Sequence, residues 1–179
     1  MMGAMQEAEE ALKRADEIRL QTERAPFQLS PHLKTQLDLA LYRLRESIEG
    51  GNRAEVDEMQ RKAFKSGKLL QKVAQKAAFH RTDSYRLMGT YYWTINEHEK
   101  AIGRWHRAVQ EGERLGARPQ LARLYFEVGR CLLEEKGKHM KLDGLEGEAY
   151  LEKARALYEE MKMESCLEDI DQAVEMRTL

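Results

Sequence analysis

An all-α fold of about seven helices is the architecture this sequence predicts, on three observations. Alanine, leucine, glutamate, lysine and arginine dominate the 179 residues, which is a helix-forming composition. Apolar residues recur at three- and four-residue spacing, and no alternating run of strand type appears. Only three prolines and no Ser/Gly-rich run interrupt the chain, which argues against disorder.

The elements follow in order. Residues 6–24 set Ala8, Leu12, Ala15, Ile18 and Leu20 at helical spacing. "APFQLSP" at 25–31 predicts a loop broken by Pro26 and Pro31, with Ser30 as N-cap and Pro31 in the first helical position. A helix over 32–49 then aligns Leu33, Leu37, Leu39, Ala40, Leu41, Leu44 and Ile48, and "GGN" at 50–52 ends it. A long helix is expected from Ala54 to His80, with Val56, Met59, Ala63, Phe64, Leu69, Leu70, Val73 and Ala77 as its apolar set. Asp83 is the expected N-cap of a helix to Ile95, and another helix runs from His98 to Leu115. "GARP" turns the chain, and Pro119 opens a helix to Glu135. The polar stretch 136–148 breaks the period, and helices over 149–162 and 166–176 finish the sequence.

Charge and cysteine content limit the function classes. Thirty Lys and Arg against 31 Asp and Glu give a net charge of -1, so no whole-chain nucleic-acid or membrane footprint exists. Cys131 and Cys166 stand 35 residues apart without a CxxC, which points to a reducing, cytoplasmic setting. No stretch approaches 18 apolar residues, and "MMGAMQEAEE" lacks the apolar centre of a signal peptide. Gly3-Ala4-Met5 reads as a cloning remnant, which would make the chain a piece of a longer protein.

An internal repeat organises the second half. Tyr85, Met88, Gly89 and Tyr92 recur as Tyr125, Val128, Gly129 and Leu132 at an offset of 40 residues. Ala101 precedes Trp105 by four residues, as Ala154 precedes Tyr158. A glycine and an alanine let two antiparallel helices approach closely, and the large residues fill the space beside that contact. The pattern resembles the tetratricopeptide repeat. Twelve residues separate Gly89 from Ala101 and 25 separate Gly129 from Ala154, so the second copy carries a 13-residue insertion at 136–148. The resemblance implies stacked antiparallel hairpins over 83–179, closed by a C-terminal capping helix that turns Cys166, Leu167, Ile170, Ala173 and Val174 inward. Residues 1–82 form an N-terminal helical region, with 32–80 readable as a degenerate hairpin lacking the Gly/Ala signature.

The phrases "RLMGTYYW", "GERLGARPQLARLYFEVG" and "LEGEAYLEKARALYEEM" also look like the C-terminal repeat tail of large bacterial signalling proteins. Those join a nucleotide cyclase or kinase domain to a P-loop ATPase and then to such repeats. The resemblance implies a non-catalytic sensor or docking module, with catalytic and ATP-binding parts outside this chain.

Catalytic and metal chemistry find little support. His98-Glu99 opens like HExxH, but Ile102 occupies the second histidine's place and His106 lies about 12 Å farther along the helix. Both histidines are expected on the surface of their helix. Cys131 and Cys166 lack ligand partners at suitable spacing, and Cys131 is expected to pack as a small apolar residue. "KSGKLL" at 65–70 fails the P-loop pattern, with Lys62 and Leu69 at two required positions. "KLDGLEGE" at 141–148 has one aspartate and fits no calcium loop, leaving a lid or partner-binding loop or a plain connector. Neither cofactor nor metal is expected, and no catalytic residue is assigned.

A partner groove is the remaining expectation. Subtracting packing positions from the first helix of each hairpin leaves Asp83, Arg86, Thr90 and Thr94, then Arg123, Phe126, Arg130 and Glu134. Three arginines beside an exposed phenylalanine suit an acidic peptide or carboxylate terminus. The competing arrangement pairs Arg130 with Glu127 or Glu134. A protein-interaction scaffold or regulatory tail follows, and Arg86→Glu with Arg130→Glu is expected to fold yet lose its partner. Two rivals stand beside it. Lys62, Lys65, Lys68, Lys72 and Lys76, with Arg61 and Arg81, form a basic stripe suited to nucleic acid or an anionic surface. An uncapped end would instead support self-association.

Overall fold

The computed structural model describes residues 2–21 and 26–175, which hold eight α-helices, one for each helical stretch expected in order. They are α1 (Met2–Gln21), α2 (Pro26–Glu49), α3 (Arg53–Ala74), α4 (Arg81–Thr94), α5 (His98–Leu115), α6 (Arg118–Leu133), α7 (Gly147–Glu160) and α8 (Glu164–Glu175). None is long and apolar enough to cross a membrane. Residues 22–25 of the expected first helix and loop lie outside the described residues, as do 176–179.

Two helix boundaries differ from expectation for local reasons. The loop expected at 25–31 is absent: α2 starts at Pro26 and continues through Pro31. A proline in the first position has no partner to lose, and Pro31, one turn on, removes a single ladder bond. The long helix expected to His80 ends instead at Ala74, and a 3₁₀ turn covers Ala78–His80. Arg81 secures that end, its guanidinium donating to the carbonyls of Ala74 at 3.3 Å and Gln75 at 2.8 Å. These are carbonyls a finished helix leaves open. Asp83 is not an N-cap, because α4 already begins at Arg81.

Apart from the insertion between α6 and α7, the turns from α2 onward are short, so neighbouring helices fold back on one another. Asn52 caps α3 by accepting from the Glu55 amide. Helices α4, α5 and α7 close alike, with Asn96, Gly116 and Lys162 in left-handed conformation. In each, two amides reach back across the last turn; Glu97 to Tyr92 at 2.9 Å and Asn96 to Trp93 at 3.0 Å is one such pair. The pairs α2–α3, α4–α5 and α6–α7 lie along one another. The first helices also touch in series, α2 to α4 and α4 to α6, while α8 packs on α7.

Two apolar clusters share α4. Leu33, Leu37, Leu41 and Leu44 of α2 pack with Ala63, Leu70, Leu87, Met88 and Tyr91. Trp93, Ala101, Trp105, Tyr125, Val128, Tyr150, Ala154, Tyr158 and Ile170 belong to the second cluster. Ile48, Phe64 and Leu69, expected inside, stay 41%, 38% and 38% exposed. On α3 the place facing Met88 is taken by Gly67.

The two repeat copies pack differently. In the first, Trp105 is fully buried, and a Cβ on Gly89 would meet its ring at 2.3 Å. Tyr85 and Tyr92 pack partly buried beside that contact. In the second, Gly129 faces Leu151 and the carbonyl of Gly147, so Tyr158 does not play the part of Trp105. The insertion accounts for the difference: it lets α7 start at Gly147, and a pair of glycines brings the α6 and α7 backbones together there.

The insertion is itself anchored. A 3₁₀ turn at Glu135–Gly137 is followed by a tight hairpin in which Leu142 and Leu145 exchange both backbone hydrogen bonds. Asp143 and Gly144 both have positive φ, as such a two-residue turn requires. Leu142 is fully buried, and its carbonyl accepts from the Tyr150 hydroxyl at 3.2 Å.

Candidate peptide-binding groove

An open groove of about 710 Å³ runs across α2, α4 and α6. Seven of the eight expected groove residues border it: Arg86, Thr90, Thr94, Arg123, Phe126, Arg130 and Glu134. Asp83 does not, being only 5% exposed within the helix packing. The first helices of three hairpins therefore supply the walls, with Arg45 and Tyr42 contributed by α2.

A charged network forms the floor and ties the three helices together. Lys34 of α2 meets Asp83 of α4 at 3.0 Å, and Arg86 reaches Asp83 at 3.4 Å. Arg86 also pairs with Glu127 of α6 at 2.5 Å, and the Thr90 hydroxyl meets the other oxygen of that carboxylate. Burial opposes the Arg86 charge, but Glu127, Asp83 and Asp38 outweigh it and hold its pKa above the ordinary arginine value. Asp38 opens to solvent on its groove side, yet desolvation by the protein around it raises its pKa against Arg86 and Lys34. Arg86 is thus not a free ligand group, which corrects the expectation that it receives a partner.

Desolvation pushes the Asp83 carboxyl up, and Arg86 with Lys34 outweighs that to leave its pKa lowered. A depressed carboxylate stabilises the fold above its unfolded pKa, and the stabilisation disappears as pH falls through the folded value. Asp83→Asn is accordingly expected to be less stable than the wild type at pH 7. The gap should close in the acid limb below about pH 4. Urea midpoints across a pH series measure it, and a gap that persists unchanged into acid would remove this role from Asp83.

Free cations lie on the walls instead. Among the described residues, Arg45, Arg123 and Arg130 have no ion-pair partner. The anticipated pairing of Arg130 with Glu127 or Glu134 does not occur. Its guanidinium lies over the Phe126 ring at 5.9 Å, while Glu127 turns to Arg86. Glu134 accepts from the Trp93 indole at 3.0 Å and meets Lys136 at 3.3 Å. Tyr42 and Ile48, each 41% exposed, and half-buried Phe126 supply apolar surface between these charges.

Tyr42, Arg45 and Ile48 join the groove without the Gly/Ala signature that marks a first helix in the sequence. The signal was present: Asp38, Tyr42, Arg45 and Glu49 repeat at helical spacing beside the buried leucines.

The remaining candidates occupy other positions. His98 and His106 are not plain surface residues: the His98 ring packs 4.6 Å from Trp93, and His106 pairs with Asp143 of the insertion. Among the described residues no group of three or more His, Cys, Asp or Glu gathers as a ligand set. Cys131 is 3% exposed, and burial pushes its thiol well up, as for an inert packed cysteine.

No protein-family model matches the chain, and no curated protein or solved structure matches it either.

Proposed function

We propose that this chain is a tetratricopeptide-like array of stacked hairpins that docks an acidic peptide, acting as an interaction module and not as an enzyme. The serial contact of α2, α4 and α6 supports the stacking, because first helices line the inner surface of such arrays. One observation carries the docking: three unpaired arginines and three exposed or half-exposed apolar side chains share an open groove whose floor is already neutralised. A partner segment would place carboxylates on Arg45, Arg123 and Arg130 and an apolar anchor against Phe126 and Ile48. The likeness to repeat tails of bacterial cyclase and kinase–ATPase proteins supports a regulatory role, with the segment drawn from the parent chain or another protein.

Display of random peptides against the folded chain tests the groove. Selected sequences should be rich in Asp and Glu around one aromatic or aliphatic residue. Arg123→Glu with Arg130→Glu should weaken them at least about tenfold, since each charge-assisted contact contributes about 1.5–3 kcal/mol. Peptides that bind the double variant as tightly as the wild type would overturn the assignment. Arg86→Glu, the partner change expected from sequence, is unsuitable because it sets a third carboxylate beside Asp83 and Glu127.

A further inference from the structure

A second concave surface lies between α3 and α5, with α4 as its floor. A recess of about 280 Å³ there is bordered by Gln71 and Gln75 of α3, Tyr85 of α4, and Arg104 and Arg107 of α5. Helical spacing extends each wall beyond the recess. Phe64, Lys68, Gln71 and Gln75 stand at i, i+4, i+7 and i+11, and so do Lys100, Arg104, Arg107 and Glu111 on α5. A row of rings crosses from one wall toward the other. Phe64 lies 5.7 Å from Tyr91, and Tyr91 lies 5.2 Å from Tyr92. Both ends of the row carry cations: Lys68 sits over Phe64 at 5.4 Å, and Lys100 and Arg104 over Tyr92 at 5.8 and 5.9 Å.

Charge on this surface is one-sided. Residues 59–82 hold seven Lys and Arg and no Asp or Glu, and 100–110 hold Lys100, Arg104 and Arg107, again without an acid. Among the described residues Lys65, Lys68, Lys72, Arg104 and Arg107 have no ion-pair partner. The carboxylates on the same helices are engaged: Glu58 with Lys62 at 2.6 Å and Glu111 with Arg114 at 2.7 Å. Lys100 is held by Glu97 at 3.0 Å, and Arg81, which also borders the recess, is occupied by the carbonyls that close α3. Neither is counted among the available cations. The side-chain amides of Gln71 and Gln75 and the Tyr85 hydroxyl have no hydrogen-bond partner among the described residues.

We propose that this surface binds single-stranded nucleic acid. Phosphates lie on the five unpaired cations of α3 and α5, a base stacks on Phe64, which is 38% exposed, and base edges or sugar hydroxyls meet Gln71, Gln75 and Tyr85. Cations alone would suit any polyanion. The exposed ring and the unpartnered amides favour a strand whose bases are open, because a duplex keeps its base faces inside the stack. A bilayer fits less well, because the apolar side of α3, with Ala63 and Leu70, is already buried in the core. The surface shares no residue with the peptide groove, so the two can be tested, and can fail, separately.

Fluorescence anisotropy with a labelled oligouridylate of about 15 nucleotides tests it. Binding should saturate at about 50 mM salt, and log K should fall against log salt with a slope of about -3.5, the value for five phosphate contacts on a single strand. Lys65→Gln with Lys68→Gln and Lys72→Gln should flatten that slope to about -1.4, and Arg104→Gln with Arg107→Gln to about -2.1. Lys138→Gln with Lys162→Gln removes as much charge as the arginine pair but away from this surface, and should leave affinity and slope as in the wild type. Phe64→Ala should weaken the single strand about tenfold and leave a duplex of the same length unaffected, while Phe64→Tyr keeps the affinity. Circular dichroism checks that every variant folds. Absence of binding at about 50 mM salt overturns the proposal, as does an affinity that the lysine and arginine variants leave intact. Duplex bound as tightly as the single strand, with no effect of Phe64→Ala, overturns it in favour of a plain polyanion surface. Phosphatidylserine vesicles bound in preference to the oligouridylate would assign the surface to a membrane instead.

Discussion

Glu127→Ala is expected to lower the stability of the fold by about 3–5 kcal/mol, because it strands Arg86 without its main counter-charge. The two side chains are only 11% and 16% exposed, so water cannot take over the lost role. The change also leaves the Thr90 hydroxyl without its carboxylate partner. Arg86→Met combined with Glu127→Leu should recover much of the loss, since it removes both charges and keeps the volume filled. Asp83 would then rely on Lys34 alone, so full recovery is not expected. Urea denaturation of the wild type and the two variants, with slopes compared, measures these differences. A loss below about 1 kcal/mol for Glu127→Ala would mean that the pair behaves as a surface ion pair.

Trp105→Ala is the other large change, with an expected cost of about 3–5 kcal/mol. The side chain is fully buried, sits 5.3 Å from the Trp93 ring, and donates its indole N–H to the Arg86 carbonyl at 3.2 Å. The neighbouring glycine makes the effect diagnostic. Gly89→Ala alone should cost about 1–3 kcal/mol, because the new methyl overlaps the indole. In the Trp105→Ala background that methyl enters the vacated space, and its cost should vanish. A double-mutant cycle reads the coupling directly. Additive losses would show that Gly89 and Trp105 do not define the packing of α4 against α5.

Much of the fold was legible in the sequence because helices and tight turns are encoded over a few residues. α5 has the predicted bounds, and Gly116 and the "GGN" turn fall where the chain reverses. Pro31 is expected as a breaker, yet α2 runs through it from Pro26, forgoing the one ladder bond that a proline cannot donate. The end of α3 at Ala74 was also hidden, since it depends on Arg81 capping carbonyls six and seven residues earlier. Of the groove, the side chains on α4 and α6 follow from subtracting packing positions, while those on α2 carry no Gly/Ala signature and show only in the spacing of Asp38, Tyr42, Arg45 and Glu49 beside the leucines.

The sequence by itself determined an all-helical chain and the Gly89–Trp105 contact, because both arise from local propensity and from residues less than two helices apart. Only the tertiary structure decided which charges are free. Arg86 and Arg130 both fall on the groove side of their helices, yet Arg86 is neutralised by a carboxylate 41 residues away and Arg130 is not. Asp83 is likewise tied to Lys34 across 49 residues. A charge's availability depends on what packing brings within about 4 Å and how far water is excluded there. No spacing along a single helix contains that information.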